Sequence, residues 1–231
     1  MIETEQLIRH FSIERGVTAI IGGGGKTTLL YALADSLRQN GSVLLATSTH
    51  IRRPIGLPFL ERLNRPCVPH ERIVIGTPAE NDKLTAPVQS FSDLAARCDY
   101  VLVEADGARG LPLKAHNENE PVIPPSAGTV LAVIGLDGLG KSIREVCHRP
   151  HLYAKLLDVS ENAVVSSALC ARVVTTYPQV TGVVLNKADT PERLAHGHAL
   201  ATLLPLPVAI TALGNNQTIL ELWRNGICCL S

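Results

Sequence analysis

Lys26, preceded by Gly22, Gly23, Gly24 and Gly25 and followed by Thr27 and Thr28, opens the stretch whose residue types and spacing are suited to chemistry. Glycines let a backbone curl until successive N–H groups face one concavity, and a helix starting just beyond adds the positive end of its dipole. Such a cradle suits a triphosphate. Lys26 would then reach the β- and γ-phosphate oxygens, and the Thr27 hydroxyl would complete the shell of a Mg²⁺ ion. Downstream, Tyr100-Val101-Leu102-Val103 runs into Glu104-Ala105-Asp106-Gly107, an order that brings carboxylates to the metal side of a phosphate loop. Asp106 is the candidate for the metal's inner or outer shell, and Glu104 the candidate for orienting water. Further on, Val183-Val184-Leu185 delivers Asn186-Lys187-Ala188-Asp189. In that arrangement the Asp189 carboxylate accepts from the ring N–H and exocyclic amine of guanine, while Asn186 and Lys187 brace the loop and pack along the base. GTP is the expected nucleotide, with ATP as the alternative. A competing reading is that Asp189 or Thr190 caps a helix beginning near Pro191.

The first glycine of the consensus G-x-x-x-x-G-K-[ST] would fall at Ile20, so the loop departs from that form. It resembles instead the G-G-x-G-K-T-T loop of the MinD and ParA type, in the signal-recognition-particle class. That loop usually carries a lysine just before its glycines. Here the position is Ile21, so no lysine is available there for donation across a dimer. A second stretch, Gly135-Leu136-Asp137-Gly138-Leu139-Gly140-Lys141-Ser142, satisfies the consensus letter for letter. It ranks behind the first for two reasons. The segment after Lys26 has apolar residues at Leu30, Leu33, Ala34 and Leu37 and a stop at Asn40-Gly41, whereas the segment after Lys141 soon meets Pro150. Asp137 would also place a carboxylate inside a phosphate cradle.

The elements that must position these groups can be read from apolar runs. Val17 to Ile21, Val43 to Ala46, Tyr100 to Val103, Thr129 to Ile134 and Val180 to Leu185 lack alternation, as strands buried on both faces of a parallel α/β sheet do. Helices are expected near Leu7 to Phe11, from Thr27 to Asn40, over Phe91 to Cys98, and around His151 to Leu157 and Glu161 to Ala171. Arg52 to Pro69 reads as a lid or functional loop, and Ala108 to Pro125, with Lys114 and His116, as a switch-type loop. Thr47-Ser48-Thr49-His50 closes a strand at the end where ligands gather, to face a nucleotide or second substrate or to satisfy a turn.

Composition narrows the class further. The chain has 231 residues, 45% of them hydrophobic, with Lys plus Arg and Asp plus Glu balanced at 21 each. This suits one domain over residues 1–231 and implies neither a nucleic acid nor an anionic membrane as partner. The acidic start, Met1-Ile2-Glu3-Thr4-Glu5-Gln6, lacks the pattern of a secretion signal, and six cysteines without C-x-x-C spacing read as reduced thiols, so the expected location is cytoplasmic. The adjacent Cys228 and Cys229 are expected at a frayed end, with a soft-metal or selenium contact as the alternative.

Together, the Gly22–Thr28 loop, Thr47-Ser48-Thr49-His50, Glu104-Ala105-Asp106-Gly107 with Leu113-Lys114, Glu120-Pro121-Val122-Ile123-Pro124, His148-Arg149-Pro150 and Asn186-Lys187-Ala188-Asp189 resemble the YqeC family. This is a P-loop NTPase-like family of selenium-dependent hydroxylase accessory proteins. The resemblance implies a role in maturing a selenium-dependent molybdenum hydroxylase, and so that enzyme or its cofactor-maturation proteins as partners. The expectation is therefore a P-loop NTPase-like three-layer α/β fold with a central, mostly parallel sheet, binding and hydrolysing GTP with Mg²⁺. Two alternatives stay open: a P-loop kinase or nucleotidyl transferase acting on a small molecule held by Thr49, His50, Lys114 and His116, and a nucleotide-sensing chaperone with little turnover. Whether the assembly is a monomer or a homodimer stays open as well.

Overall fold

The apolar runs without alternation do become buried parallel strands. The computed structural model of the protein describes residues 2–54, 56–214 and 218–230. In chain order come α1 (Thr4–His10), β1 (Gly16–Gly22), α2 (Lys26–Leu37), β2 (Val43–Thr47), β3 (His50–Arg52), β4 (Phe59–Leu60), β5 (Arg72–Ile75), β6 (Thr77–Ala79) and β7 (Lys83–Thr85). The middle of the chain holds α3 (Phe91–Ala95), β8 (Tyr100–Glu104), β9 (Leu113–Lys114), β10 (Ala127–Gly135), α4 (Ile143–Val146), β11 (Cys147–His148) and α5 (Pro150–Leu157). The remainder is α6 (Ser167–Val174), β12 (Gly182–Asn186), α7 (Pro191–Ala201), β13 (Val208–Ala212), β14 (Thr218–Arg224) and β15 (Ile227–Leu230).

Ten strands form one sheet in the order β15-β14-β13-β12-β10-β1-β8-β2-β5-β4. Pairing is parallel from β13 through to β4, and antiparallel only where β14 and β15 are added. Successive residues of β1 serve opposite faces: Ile20 joins the core beneath α1 and α2, while Ala19 and Ile21 join the core covered by α4 to α7. Both faces are therefore sealed by helices, which makes three layers. Helix α2 presents Leu29, Leu30, Leu33, Ala34 and Leu37 to the first of these cores, which holds the end of the helix that follows the glycines.

The register decides what meets at the carboxyl edge. Ile20 lies opposite Glu104, Thr47 also lies opposite Glu104, Gly22 opposite Val133, and Gly135 opposite Asn186. The glycine loop, the acidic strand end and the Asn-Lys-x-Asp strand end thus emerge side by side, where parallel sheets place their ligands.

Several boundaries differ from expectation. The helix anticipated from Glu161 begins only at Ser167, because residues 161–165 are drawn into extended pairing: Arg144 N donates to Glu161 O at 2.9 Å, Ile143 N to Ala163 O at 3.0 Å and Val165 N to Lys141 O at 2.8 Å. The Ser166 hydroxyl then caps α6. Within the lid-like segment, β4 extends the sheet, and within the switch-like segment β9 pairs with β11. Cys228 and Cys229 do not fray; they lie in β15, where Cys228 faces Trp223, and strand alternation turns the two thiols to opposite sides. Among the described residues no helix is long and apolar enough to cross a membrane.

Candidate functional site

The loop after β1 is shaped by packing that only glycine permits. Gly24 has φ +82°, and a Cβ there would lie 2.3 Å from the Gly135 Cα. At Gly25, φ is +127°, and a Cβ would lie 2.3 Å from Asn186 Nδ2. Backbone hydrogen bonds anchor the curl: Gly23 N donates to Val133 O at 2.9 Å and Gly24 N to Leu111 O at 3.1 Å. No side chain caps α2. The first-turn N–H groups that every helix leaves without internal partners therefore supply an uncapped, positive end at the loop.

Lys26, Glu104 and Asp106 come together directly behind this loop. The buried Lys26 Nζ donates to Gly22 O at 2.8 Å and lies 3.1 Å from Asp106 Oδ1 and 3.7 Å from Glu104 Oε1. Asp106 is wholly buried, accepting from Gly22 N at 2.7 Å and meeting His116 Nε2 at 2.5 Å, with Lys114 Nζ 3.6 Å away. Burial opposes its charge, yet the His116 hydrogen bond and the Lys26 and Lys114 ammonium groups prevail and hold the carboxyl down at about 2. Glu104 differs. Burial raises its carboxyl above the ordinary range, against Lys26 and the Thr27 hydroxyl, which donates to Oε2 at 3.0 Å. The Oδ1 atom of Asp106 is near Lys26 but has no aligned hydrogen-bond donor. The oxygens of Thr27, Glu104 and Asp106 are a donor set that fits a hard cation such as Mg²⁺.

At the end of β12, Asn186 ties three segments together. Its amide donates to Gly24 O at 2.8 Å, while its carbonyl accepts from Thr211 Oγ1 at 3.1 Å and Leu213 N at 3.0 Å. Lys187, in a left-handed conformation with φ 67°, pairs with Asp137 at 2.8 Å. The exposed Asp189 pairs with Arg193 at 3.2 Å. Thr190 is the cap of α7, accepting from Arg193 N at 3.3 Å, so the capping role falls to Thr190 and leaves the Asp189 carboxylate outside it.

A cleft of about 570 Å³ opens over these parts, lined by Gly24 to Thr28, Glu104, Arg109, Lys187 and the His50–Arg52 strand. Thr47 and Ser48 turn inward, donating to Glu104 O at 2.8 Å and Val122 O at 2.6 Å, and so satisfy backbone carbonyls. Of the four groups expected around a small-molecule substrate, only His50 lines the cleft. Lys114 and His116 are buried behind Asp106, with Lys114 donating to Gly107 O at 2.6 Å and pairing with Glu120 at 2.6 Å. The literal consensus stretch has another use: Gly135 makes room for Gly24, Ser142 caps the four-residue α4, and Lys141 is exposed. His116, expected beside a substrate, meets Asp106 instead, and Glu120 and Arg149 extend the cluster beyond what spacing showed. A signal was present in Lys114-Ala115-His116, because residues two apart in an extended segment share a face.

The strand–glycine loop–helix unit beside an acidic strand end, on a parallel sheet sealed by helices on both faces, defines a P-loop NTPase-like α/β fold. Residues 18–151 match the family described as YqeC protein, and the chain belongs to that family. The uncharacterized protein YqeC of Escherichia coli (strain K12) is 36% identical over 160 residues, which are 64% of this chain and 62% of that protein. The chain thus spans less than two thirds of the length of this curated relative. Among solved structures, FtsY from Mycoplasma mycoides is similar at a TM-score of 0.44 and 14% identity, over 88% of this chain and 63% of that one.

Because Asp106 faces two buried ammonium groups, Asp106→Ala leaves Lys26 with only the more distant Glu104 and Lys114 with Glu120. The free energy of unfolding should fall by about 3–5 kcal/mol in denaturant titrations at neutral pH. With the folded carboxyl held below its ordinary 3.8, the share of that advantage that depends on its charge, about 2–3 kcal/mol, is fully present above that pH and is lost as pH falls through about 2. Equal midpoints for parent and variant at neutral pH would show that the cluster does not support the fold.

Proposed function

We propose that the chain, acting as one domain, binds a nucleoside triphosphate with preference for guanine and hydrolyses it with Mg²⁺. The observation that carries this reading is Asn186, whose amide joins the phosphate loop at Gly24 while its carbonyl holds the end of β13 through Thr211 and Leu213. One side chain makes the phosphate end and the base end a single unit. In this reading the α2 N-terminus and Lys26 receive the phosphates, and Lys26 exchanges part of its contact with Asp106 for phosphate oxygen. Thr27 and Glu104 would hold Mg²⁺, with Asp106 acting from the outer shell, and the ion would neutralise charge on the phosphates. Glu104 also orients the attacking water. Asp189 leaves Arg193 to meet the guanine edge.

Family membership supports assigning the energy of turnover to the maturation of a selenium-dependent molybdenum hydroxylase, with that enzyme or its maturation proteins as partners. The His50–Arg52 rim of the cleft supports a second reading, phosphoryl transfer to a small molecule. Product analysis separates the two. Release of inorganic phosphate without an acceptor favours hydrolysis, and phosphate appearing only on an added acceptor favours transfer.

Lys26→Ala removes a charge-assisted contact worth on the order of 1.5–3 kcal/mol, so GTP affinity measured by calorimetry should drop roughly 10- to 100-fold. Lys141→Ala should leave it within about twofold of the parent, since Lys141 is exposed at the second glycine stretch. Comparable losses in the two variants would overturn the assignment of the loop.

The base is tested by titrating GTP, ATP and XTP. Adenine cannot supply the donor pair that a carboxylate accepts, a mismatch of roughly 1–3 kcal/mol, so the parent should favour GTP over ATP by about tenfold or more. Xanthine carries a carbonyl where guanine carries its amine, so Asp189→Asn should weaken GTP and favour XTP. An unchanged order of preference in the variant would withdraw the guanine assignment.

A further inference from the structure

Glu104 to Leu113 contains a left-handed turn beside the cleft. Arg109 sits at its tip with φ 51°, in the left-handed region, followed by Gly110 with φ 77°. That conformation crowds any side chain with a Cβ and suits glycine. The backbone at this position would suit glycine, so the turn itself does not require arginine. Both ends of the turn are held. Ala105 N donates to Ile20 O at 2.9 Å, Lys114 Nζ to Gly107 O at 2.6 Å, and Leu111 N to Ala108 O at 3.0 Å. Leu111 O in turn accepts from Gly24 N at 3.1 Å, so the turn is fastened to the phosphate loop itself.

The cations that line the cleft differ in their commitments. Lys26 is paired with Asp106 and Glu104, and Lys187 with Asp137. Arg52 and Arg109 have no ion pair or hydrogen bond from their side chains among the described residues, and the electrostatic neighbour of Arg109 is His148, whose protonation it opposes. Arg52 stands on β3, whose strand partner among the described residues is β7 in a separate small sheet. Arg109 alone is both uncommitted and carried by a turn bonded to the phosphate loop.

We infer that Arg109 is a catalytic arginine supplied by the chain to its own phosphate site, an inference that rests on the hydrolytic reading above. In hydrolysis the water oxygen bonds to the γ-phosphorus while the bond from that phosphorus to the β,γ-bridging oxygen breaks. The electron pair stays on the bridging oxygen of the departing GDP, and the water's proton passes to the phosphate product. Negative charge grows on the bridging and γ-oxygens, and a planar guanidinium with several N–H donors neutralises it more in the transition state than in the bound substrate. Position 109 is exposed, so a change there spares the core.

The test uses the full chain and compares single-turnover GTP hydrolysis with GTP binding. Arg109→Gly suits the left-handed backbone and should melt no lower than the parent, yet its turnover should fall about 10²- to 10³-fold with affinity changed less than about threefold. Arg109→Lys keeps the charge but loses the fork, and should recover no more than about tenfold of that loss. A parent rate in Arg109→Gly, an equal loss of rate and affinity, or a larger rate loss in Arg52→Ala would each overturn the assignment. If the parent itself binds GTP without turning it over, the hydrolytic reading fails first and this inference falls with it; an active parent with an active Arg109→Gly sinks the inference alone.

Discussion

The rest of the site depends on the buried Asp106 carboxylate. It sits at the crossing of two neighbouring strands, accepting the first N–H of the glycine loop and facing Lys26, His116 and Lys114. A charge so deeply desolvated is tolerated only with compensation, and here Gly22 N and His116 bond to Oδ2 while the Lys26 ammonium lies beside Oδ1. The network continues outward. Lys114 pairs with Glu120, which also pairs with Arg149, and β9 pairs with β11 at Lys114 and His148. Burial lowers the ease with which Lys114 carries its proton, and Asp106 and Glu120 oppose that trend. The shape of the phosphate loop is thereby linked to a stretch of chain that runs past residue 149.

A second constraint acts from the other side of the loop. Asn186 fills the space that glycine leaves at position 25 and bonds to the carbonyl of position 24. The loop is therefore held between an ionic cluster beneath it and an amide beside it, while the N-terminus of α2 has no capping side chain. A rigid cradle with an uncapped positive end is the electrostatic arrangement that favours an anion, because little has to reorganise when the anion arrives.

What was legible in the sequence was what is local. Buried parallel strands show as short unbroken apolar runs, and a strand, four glycines, a lysine and an amphipathic helix occur in one continuous stretch, so the fold class and the strand–loop–helix unit could be read from residues 17 to 37. The better literal match at Gly135 to Ser142 ranks second on helix length and on the Asp137 carboxylate, and the four residues of α4 agree with the first of these. What was hidden depends on pairings across the chain. His116, Glu120 and Arg149 gain their places only when β9 pairs with β11, and the start of α6 moved because residues 161–165 pair with residues 140–144. Neither effect leaves a periodic trace. Lys187 pairs with Asp137, a partner supplied by the second glycine stretch and far from it in sequence.

The account claims above all that the loop from Gly22 to Thr28 is where phosphate binds. Hydrogen exchange of its backbone amides, followed residue by residue with and without GTP and Mg²⁺, addresses that claim without requiring turnover. The N–H groups of Gly23 and Gly24 are already bonded to protein carbonyls, whereas α2 has no capping side chain for its first turn. Added nucleotide should slow exchange at Gly25, Lys26, Thr27 and Thr28 by about tenfold or more, with much smaller changes at Gly140, Lys141 and Ser142. Unchanged exchange at Gly25 to Thr28 in the presence of saturating nucleotide, or protection centred on Lys141 instead, would contradict it.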